Sequence, residues 1–578
     1  MTRTDSLVVG TLVVLLALIA GLVGIPPLLP VTATTDTPAA TADPIALRPY
    51  REGVLGRPVS VSPFSARTQA DRDLVALVFA GLVRNGPLGT LVPDLAERWT
   101  VDGTGAVWTF QLRDDARWHD GEPVTADDVA FTIHVLQDPQ YTGPGARSWN
   151  EVTVTTDGPL IVSFHLKTPL GGFLQAATQP IAPAHILQGI PVTQLAERSF
   201  SRQPIGSGPF AVASLSDDAA RLIPAVNVLG PDQPTDGSGP HATDSLATLA
   251  PATRPDRPVP YLAEMDFSFF DDPEALAAAY RQGGLDAASG LSPGLTRDLA
   301  EADDSRALRY PGSTLTAVLF NLRPGHPQFA NPAVRTALLA AIDRPTIVTG
   351  AFAMAARPGT GPIPPSSALY DPAADPAVPY DPTAATAALK KAGWTLAADG
   401  WHLPNAKSPI KFELLSPDQA SNPAAFETAS IVARDWSAIG LDVTHVPLPP
   451  GEFVTGRLAT GKFMAAVADV TIGIDPDLYP LLASSQTVTG GSNVIGLQDP
   501  ALDALLVKAR GPGTTSQRMT AYSALQVQLA KGRYVLPLAF ADESIVVRDT
   551  LQGPSVSQVA DSADRFWDVL TWRLAAGR

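Results

Sequence analysis

Ser207 has the best sequence context for covalent chemistry, because it lies in the tetrapeptide Ile205-Gly206-Ser207-Gly208. A serine nucleophile at a strand-to-helix turn is typically presented by G-x-S-x-G. Here Ile205 replaces the first of those glycines, and Pro204 and Pro209 enclose the tetrapeptide. A tight turn that leads into a strand explains this composition better than a nucleophile does.

Acid–base and metal chemistry have equally few candidates. His119-Asp120 is an adjacent pair, but it belongs to Trp118-His119-Asp120-Gly121, where Asp-Gly is ordinary turn chemistry. Asp475-Pro476-Asp477 places two carboxylates together, which fits glycosidase or Ca²⁺ chemistry and equally a solvated turn. The eight histidines lack H-E-x-x-H spacing, and no glycine-rich loop fits a nucleotide cofactor. We therefore predict no catalytic residue, no metal site, no cofactor and no enzymatic activity.

The composition excludes several classes of protein. The chain has 578 residues, with 41 Lys and Arg against 57 Asp and Glu, so its formal net charge is −16. Nucleic-acid binding requires clustered basic residues, and the sequence has no such run. The length corresponds to roughly three to four domains of about 100–200 residues each. The absence of cysteine excludes disulfide bonds, thiolate zinc sites and a lipidated N-terminal cysteine.

The N-terminal 44 residues predict export. Leu7–Ile25 is almost purely apolar, and as a helix its 19 residues would span about 28 Å, close to a hydrocarbon core of about 30 Å. Arg3 precedes the segment and no basic residue follows before Arg48, which favours an extracytoplasmic C-terminal side. We interpret residues 1–25 as a membrane anchor, with a signal peptide cleaved after Ala42 as the alternative. Residues 26–44 are rich in Pro, Thr and Ala, and we predict a disordered tether there.

From residue 45 onward, strand-like and helix-like segments alternate, which predicts a mixed α/β fold with more than one domain. Helices are predicted at Asp71–Val83, Thr125–Leu136, Asn331–Ile342 and Gln517–Lys531. Strands are predicted at Val107–Arg113, Thr314–Asn321, Val535–Phe540 and Ser544–Arg548, with a hairpin turn at Asp157-Gly158. Gly230–Pro260 is dense in Pro, Gly, Ser and Thr, and we predict a surface insertion there.

Several segments together resemble a known family. Leu91–Ile133 is similar, almost residue for residue, to the most recognisable stretch of the bacterial extracellular solute-binding protein family 5. Shorter similar segments occur in the family order at Phe79–Arg84, Pro204–Phe210, Leu319–Leu322, Asn331–Arg344, Gly361–Pro365, Tyr380–Trp394 and Asp499–Leu506. This family contains the peptide- and nickel-type substrate-binding components of ABC importers.

The resemblance implies an α/β, two-lobed fold of the periplasmic-binding-protein kind, with an extra subdomain and the ligand enclosed between the lobes. The first lobe would be discontinuous and formed by residues 45–80, 204–313 and 515–578. Residues 81–203 would form the extra subdomain, and residues 314–514 the opposite lobe. The insertion at Gly230–Pro260 replaces a connection that is short in the family.

The sequence departs from peptide-binding members where they hold the amino group of the ligand. Those members typically use an aspartate a few residues before an acidic-Pro turn. Here Thr471-Ile472-Gly473-Ile474 precedes Asp475-Pro476, and the upstream carboxylate, Asp469, lies about three positions too early. A buried ammonium group without a counter-charge is costly. The ligand therefore stays open between a peptide, an oligosaccharide, an opine-like compound, a metal chelate and another polar solute.

The resemblance also implies candidate ligand-binding residues. Arg67 and Gln69 lie in the segment before the first helix, which borders the cleft in relatives. Trp149 lies in the extra subdomain, where relatives present aromatic side chains to the ligand. In the opposite lobe, near the altered anchor segment, the candidates are Asp469, Asp475 and Asn493.

These observations predict a monomeric, extracytoplasmic solute-binding component of an ABC importer, which closes on its ligand and docks on permease subunits. It would contact the membrane through its N-terminal helix and bind no nucleic acid. A secreted or periplasmic protein would result if a signal peptide were cleaved. The alternative function is a membrane-anchored solute sensor or scaffold that uses the same bilobed domain without import.

Overall fold

The computed structural model describes residues 48–146, 148–197, 199–226, 260–488 and 490–575. The predicted anchor at 1–25, the predicted tether at 26–44 and residues 230–259 of the predicted insertion lie outside these ranges. Within the described ranges, no helix combines the length and the apolar character needed to cross a membrane.

The helices of the described residues are short or of medium length. The α-helices are α1 (Gln69–Val78), α2 (Ala126–Gln137), α3 (Phe173–Ala176), α4 (Ala184–Leu187), α5 (Pro273–Arg281), α6 (Pro293–Leu299), α7 (Pro332–Ala340), α8 (Arg344–Gly350), α9 (Pro382–Lys391), α10 (Pro423–Ala438), α11 (Tyr479–Leu482), α12 (Pro500–Arg510) and α13 (Thr515–Gly532). Short 3₁₀ segments lie at Pro87–Gly89, Val192–Glu197, Ser199–Ser201, Pro327–Phe329, Ser484–Thr487 and Ser562–Thr571, and a π-helix lies at Glu452–Leu458.

The strands fall into one large sheet and several small ones. They are β1 (Tyr50–Leu55), β2 (Val83–Asn85), β3 (Leu91–Pro93), β4 (Ala96–Val101), β5 (Val107–Leu112), β6 (Val152–Thr156), β7 (Ile161–Leu166), β8 (Phe210–Leu215), β9 (Ala219–Pro224), β10 (Met265–Phe270), β11 (Ala287–Ser289), β12 (Ser305–Phe320), β13 (Ala356–Pro358), β14 (Thr395–Ala397), β15 (Gly400–His402), β16 (Lys411–Pro417), β17 (Asp442–Leu448), β18 (Ala465–Thr471), β19 (Val535–Arg548), β20 (Leu551–Gln552) and β21 (Arg573–Leu574).

Two of the predicted helix starts are confirmed, with the capping atoms in place. Thr125 is the N-cap of α2, and the Asp128 carboxylate accepts a hydrogen bond from the Thr125 N–H at 2.8 Å, as in a capping box. Asn331 is the N-cap of α7, and Pro332 occupies the first helical turn. Proline suits that position because the N–H it lacks would have no partner within the helix.

The segment predicted as the extra subdomain, residues 81–203, contains a four-stranded antiparallel sheet with the order β4-β5-β7-β6. The predicted hairpin between β6 and β7 is confirmed, and Gly158 in its turn has a φ of 68°. This left-handed conformation is accessible to glycine at little steric cost, which is why Asp-Gly is a strong hairpin signal.

The large sheet connects the two halves of the molecule. In the described residues it has eleven strands, with the order β17-β16-β18-β12-β19-β11-β1-β10-β9-β8 and with β13 also paired to β19. The strands β16, β17 and β18 pair in parallel, as do β1, β10 and β11, while β12 and β19 run antiparallel to their neighbours. Two parallel groups are therefore joined through one central antiparallel pair.

The central pair, β12 and β19, is longer than the sequence predicted. The predicted strand at Thr314–Asn321 begins nine residues earlier, and the two strands predicted at Val535–Phe540 and Ser544–Arg548 are one continuous strand. The pairing register shifts between Pro311 and Leu315. On one side of this shift β12 pairs with β18, and on the other β19 pairs with β11, so the two strands cross between the two parallel groups. We call this crossing the hinge, and β12 and β19 the hinge strands.

The half beyond the hinge has a sheet that is buried on both faces. Val318 and Phe320 pack with Trp436 on one face, and Leu319 packs with Leu502 of α12 on the other. Burial on both faces explains the continuous apolar run of β12.

The predicted domain limits stay a prediction. Tyr522 and Leu525 of α13 belong to the same core cluster as Leu502 and Leu506 of α12. The contacts of α13 therefore favour a return to the first lobe within β19, later than the predicted limit at residue 515.

Candidate ligand-binding site

The turn around Ser207 has a structural role, because hydrogen bonds connect it to neighbouring segments. Ser207 is buried, and its hydroxyl accepts a long hydrogen bond from the Ala80 N–H at 3.4 Å. The ring of His119 lies between the flanking glycines: its Nδ1 accepts from the Gly206 N–H at 3.2 Å, and its Nε2 lies 3.0 Å from the Gly208 carbonyl oxygen. Both ring nitrogens are bound to backbone, so His119 connects the extra subdomain to the first lobe.

The Asp475-Pro476-Asp477 turn belongs to the opposite lobe, and both of its carboxylates form ion pairs. The carboxylate of Asp475 accepts from Arg518 at 2.7 Å, and that of Asp477 lies 2.9 Å from a guanidinium nitrogen of Arg510. Burial raises the pKa of Asp477, and the Arg510 charge opposes that rise. The structure therefore gives both carboxylates fixed partners.

The extra subdomain contacts the opposite lobe directly at this surface. The Gly171 N–H donates to the Arg510 carbonyl oxygen at 2.8 Å, and a Cβ at Gly172 would lie 2.8 Å from the Asp475 carboxylate. A Cβ on Gly171 would lie 2.5 Å from the Gly511 carbonyl oxygen. These distances are below ordinary van der Waals contact, so the Gly171-Gly172 turn fits because it has no side chain.

The segment where relatives anchor an amino group is apolar at the expected position. Ile472 and Ile474 are both buried, and Ile472 belongs to the core cluster of the opposite lobe. Asp469 is exposed at the end of β18, where it accepts hydrogen bonds from Thr316 Oγ1 at 2.5 Å and Asn422 Nδ2 at 2.7 Å. The nearest upstream carboxylate is thus held by two neutral groups of its own lobe.

Arg67 and Gln69 lie at the start of α1. This helix begins two residues before the predicted Asp71, because Thr68 is its N-cap and Asp71 completes a capping box. The Arg67 side chain is exposed. Gln69 is half-buried; its Nε2 lies 3.4 Å from the Asp73 carboxylate, and it lines a cavity at the hinge.

Trp149 and Asn493 lie in packed surroundings. The Trp149 ring contacts those of Phe164 and Phe173, with both centroids at 5.7 Å, and only 4% of the residue is exposed. The Asn493 amide donates to the carbonyl oxygens of Ala483 at 3.0 Å and Leu497 at 2.9 Å. The structure does not bring these two side chains together with Gln69, and they stay predictions as ligand contacts.

A cavity of about 210 Å³ lies where the hinge strands meet the first lobe. Its lining includes Gln69, the Gly290–Pro293 loop, Tyr310 of β12, residues 542–545 of β19, and Arg565. Sequence reasoning singled out only Gln69. The missed signal is the polar pair Asp542-Glu543, which interrupts an otherwise apolar strand at the point where that strand borders the cavity.

Arg565 forms one wall of the hinge cavity, and two buried carboxylates match its charge. Its guanidinium donates to Asp73 at 2.6 and 2.8 Å and to Glu52 at 2.7 Å, and Tyr50 donates to Glu52 at 2.8 Å. Burial raises the pKa of Asp73, which the Arg565 charge opposes. Burial acts to lower the pKa of Arg565, but the charges of Asp73 and Glu52 outweigh it and hold that pKa above its ordinary value.

A larger cavity, of about 490 Å³, lies between α1, the extra subdomain and the Ser562–Thr571 segment. Its described lining comes from the first lobe and the extra subdomain, with no residue from the opposite lobe. The hinge cavity differs because its lining includes β12 and β19, the two strands that continue into the opposite lobe, so it is the better candidate for a site that responds to closure.

Comparison with known proteins places this architecture in a family. The model of the bacterial extracellular solute-binding proteins, family 5 Middle, matches residues 90–493. The chain belongs to this family. The family membership predicted from the sequence is thereby confirmed.

Curated relatives are similar over most of their length. Protein XP55 of Streptomyces lividans is 27% identical over 509 residues, which cover 87% of this chain and 85% of that protein. Di/tripeptide-binding protein 2 of Pseudomonas aeruginosa is 27% identical over 477 residues, which cover 78% of this chain and 81% of that protein.

Solved structures of the family share the fold. NikZ of Campylobacter jejuni, in complex with Ni(L-His), has a TM-score of 0.68 at 22% identity and covers 92% of this chain and 100% of its own. AppA of Bacillus subtilis, in complex with a nonapeptide, has a TM-score of 0.68 at 21% identity and covers 92% of this chain and 99% of its own. The predicted mixed α/β, periplasmic-binding-protein-like fold is confirmed.

Proposed function

We propose that this protein captures a peptide-like or other polar solute between its two lobes and delivers it to the permease of an ABC importer, without a chemical step. The observation that carries the proposal is the combination of a two-strand hinge with a side-chain-free contact at Gly171-Gly172 that joins the extra subdomain to the opposite lobe. Membership of the solute-binding family supports the same function.

Closure couples binding to delivery. A ligand shifts the balance between open and closed states only if it binds one of them better. A solute that contacts both lobes gains its full set of contacts only when the lobes are closed. The closed surface would then be the one that the permease recognises.

The solute is not held by the anchor segment that peptide-binding relatives use. Ile472 and Ile474 are buried and apolar, and Asp469, Asp475 and Asp477 already have partners within the protein. Of the predicted contacts, Gln69 is the one that lines the hinge cavity; Arg67, two residues earlier, has an exposed side chain and is not part of the described lining.

The protein is exported and works outside the cytoplasmic membrane, held there by Leu7–Ile25. A tether of 19 residues gives a root-mean-square reach of roughly 22–26 Å, at about 5–6 Å × √n, which would raise the effective concentration of the cleft near a permease. N-terminal sequencing of the native protein tests this location. A mature start at Asp43 would refute the anchor and leave a secreted or periplasmic protein.

The hinge-closure function is tested by Gly171→Ala, with Gly103→Ala as its matched control. An added methyl at Gly171 meets a backbone oxygen of Gly511, whereas a methyl at Gly103, in the same subdomain, has open space within 4 Å. Small-angle scattering would be measured with and without a tri- and tetrapeptide library and the solutes that co-purify with the protein. We expect compaction for the wild type and for Gly103→Ala, and at least tenfold weaker binding with little compaction for Gly171→Ala. Equal compaction of all three proteins, or chemical turnover of a bound solute, would contradict the proposal.

A further inference from the structure

Glu543 differs from the other carboxylates around the cleft because it has no fixed partner. It lies in the middle of β19, its side chain is exposed, and it lines the hinge cavity. Among the described residues, no hydrogen bond or ion pair reaches its carboxylate. A carboxylate that is open to solvent on one side and enclosed by protein on the others is available to bind a ligand.

Tyr310 stands beside Glu543 and supplies a second unused polar group. The two residues are direct partners in the antiparallel register of β12 and β19. Directly opposed residues of an antiparallel pair project from the same face of the sheet, about 4.5–5.5 Å apart at Cβ. Tyr310 is fully buried, and within the described structure its hydroxyl has no hydrogen-bond partner, although it lines the cavity. An unsatisfied buried hydroxyl carries a desolvation cost that a ligand group would relieve.

The charge balance of the cavity leaves an excess of negative charge. In the described lining the cation is Arg565, and it is matched by both Glu52 and Asp73. The second lining carboxylate, Asp542, is paired with Arg357 at 2.6 Å. Glu543 is therefore the surplus charge.

We propose that the hinge cavity is the subsite for a positively charged group of the solute, an ammonium or a guanidinium. Glu543 is its counter-charge, and the Tyr310 hydroxyl and the Gln69 side-chain carbonyl are further acceptors. This inference rests on the proposed function and gives that function a ligand class: a solute with a cationic end, held at the hinge and not at the Ile472 position.

The physical surroundings favour a cation at this point. Removal of water from one side of a carboxylate strengthens its interaction with an opposite charge. Although one side of the Glu543 carboxyl is exposed, the loss of water on its enclosed side raises its pKa, with the Asp561 charge acting in the same direction and those of Arg565 and Arg72 opposing it. Arg72 is itself paired with Asp561 at 2.6 Å. A bound cation would form a charge-assisted hydrogen bond with Glu543, the strong type in proteins.

The position of Glu543 and Tyr310 also connects ligand binding with the closure of the two lobes. Glu543 and Tyr310 lie next to the register shift between Pro311 and Leu315, on the first-lobe side of the hinge. A charged group bound there meets the strands whose geometry must change when the lobes move. The anchor segment of relatives adjoins the same register shift from the opposite-lobe side, where the Ile472 N–H donates to the Ser313 carbonyl oxygen at 3.1 Å. The cationic end of the solute would therefore be displaced along the hinge strands relative to those ligands.

The test is affinity-selection mass spectrometry with matched charged and uncharged probes. The first pair is a tri- and tetrapeptide library without Lys, Arg and His, used free and N-acetylated. The second and third pairs are arginine with citrulline, and putrescine with 1,4-butanediol. The proteins are the wild type, Glu543→Gln and Tyr310→Phe, with Asp399→Asn, an exposed carboxylate beside His402 in the opposite lobe, as the control.

We expect the wild type and Asp399→Asn to retain the cationic member of at least one pair more than tenfold better than its neutral partner. Glu543→Gln should reduce this preference to less than twofold, and Tyr310→Phe should reduce it several-fold. Equal retention of both members by the wild type, with compaction in scattering, would overturn the inference and leave the proposed function standing. A preference that persists in Glu543→Gln would place the cation elsewhere. Retention of no probe and no co-purifying solute would contradict both.

Discussion

The anchor segment of the opposite lobe and the hinge cavity of the first lobe both contain carboxylates, but only at the hinge does a carboxylate lack a hydrogen-bond partner within the described structure. Between Asp469 and Asp477, each carboxylate accepts from a partner in the protein: hydroxyl and amide groups for Asp469, arginines for Asp475 and Asp477. At the hinge, Glu543 stands without such a partner in the described structure.

This difference separates carboxylates that maintain the shape of the protein from one that is free to bind. A carboxylate that already has partners in the protein has less net attraction left for a ligand, because binding would replace interactions that already exist. An unpartnered carboxylate has that interaction still to gain. Whether a carboxylate already has a partner within the protein is therefore a better guide to ligand contact than its position near the cleft.

The largest effect is expected from Arg565→Gln, which tests whether the wall of the hinge cavity is a compensated structural cluster. The substitution leaves Glu52 and Asp73 buried without their counter-charge, and such losses cost about 3–5 kcal/mol. Chemical denaturation would measure the free energy of unfolding. Lys167→Gln is the control: it breaks an exposed ion pair with Glu151 and should cost less than about 1 kcal/mol. A similar small loss for both variants would mean that the Arg565 cluster does not support the wall.

The sequence predicted the scaffold better than it predicted the cavity, and the hinge strands show why. Scaffold elements follow local rules: Thr125 and Asn331 begin helices through their own side chains, and Asp157-Gly158 forms a turn by backbone geometry. Strand β19 was predicted as two strands because Asp542-Glu543 interrupts its apolar pattern. A strand that crosses between the lobes must pass a solvated cleft. Polar residues in the middle of such a strand therefore indicate a candidate ligand site and not a loop.

The prediction of ligand-binding residues was limited in the same way, because it could use only local sequence patterns. Gln69 was found because it lies in a segment that borders the cleft in relatives, and the structure places it on the hinge cavity. The Tyr310 hydroxyl and the Arg565 cluster depend on contacts between residues more than 200 positions apart. Partners at such separations leave no periodic or local signal in a single sequence.

The next effect is expected from Asp475→Asn, which probes the partnered side of the comparison. The change removes the counter-charge of Arg518, whose side chain is 16% exposed, while it keeps the size of the group under Gly172. We expect a loss of about 1–2 kcal/mol in the free energy of unfolding. Asp217→Asn, in an exposed pair with Arg202, is the control and should change it by less than about 0.5 kcal/mol. If Asp475→Asn instead abolished solute binding with unchanged stability, Asp475 would be a ligand contact.

A smaller effect of opposite sign is expected for the stability of Glu543→Gln without ligand. Because burial raises the pKa of Glu543, the folded protein binds that proton more tightly than the unfolded chain does, and stability falls as pH rises through this range. Glutamine removes that loss. The variant should match the wild type near pH 4 and exceed it by up to about 0.5 kcal/mol at pH 7, as expected for a solvent-accessible site. Denaturation midpoints at the two pH values decide this, and a less stable variant at pH 7 would show that Glu543 has a stabilising partner.

The smallest effect is expected from Asp469→Asn, which asks whether the relatives' amine anchor survives in a shifted position. Asp469 is exposed and is already bonded to Thr316 and Asn422, so its charge contributes little to a ligand. Calorimetry with trialanine and N-acetyltrialanine should give affinities within about twofold of the wild type for both peptides, since less than 0.5 kcal/mol separates such values. A persisting anchor would be revealed by a tenfold or greater loss on acetylation that Asp469→Asn abolishes and Glu543→Gln does not. That result would move the cationic end of the solute back to the opposite lobe and reverse the assignment of the two regions.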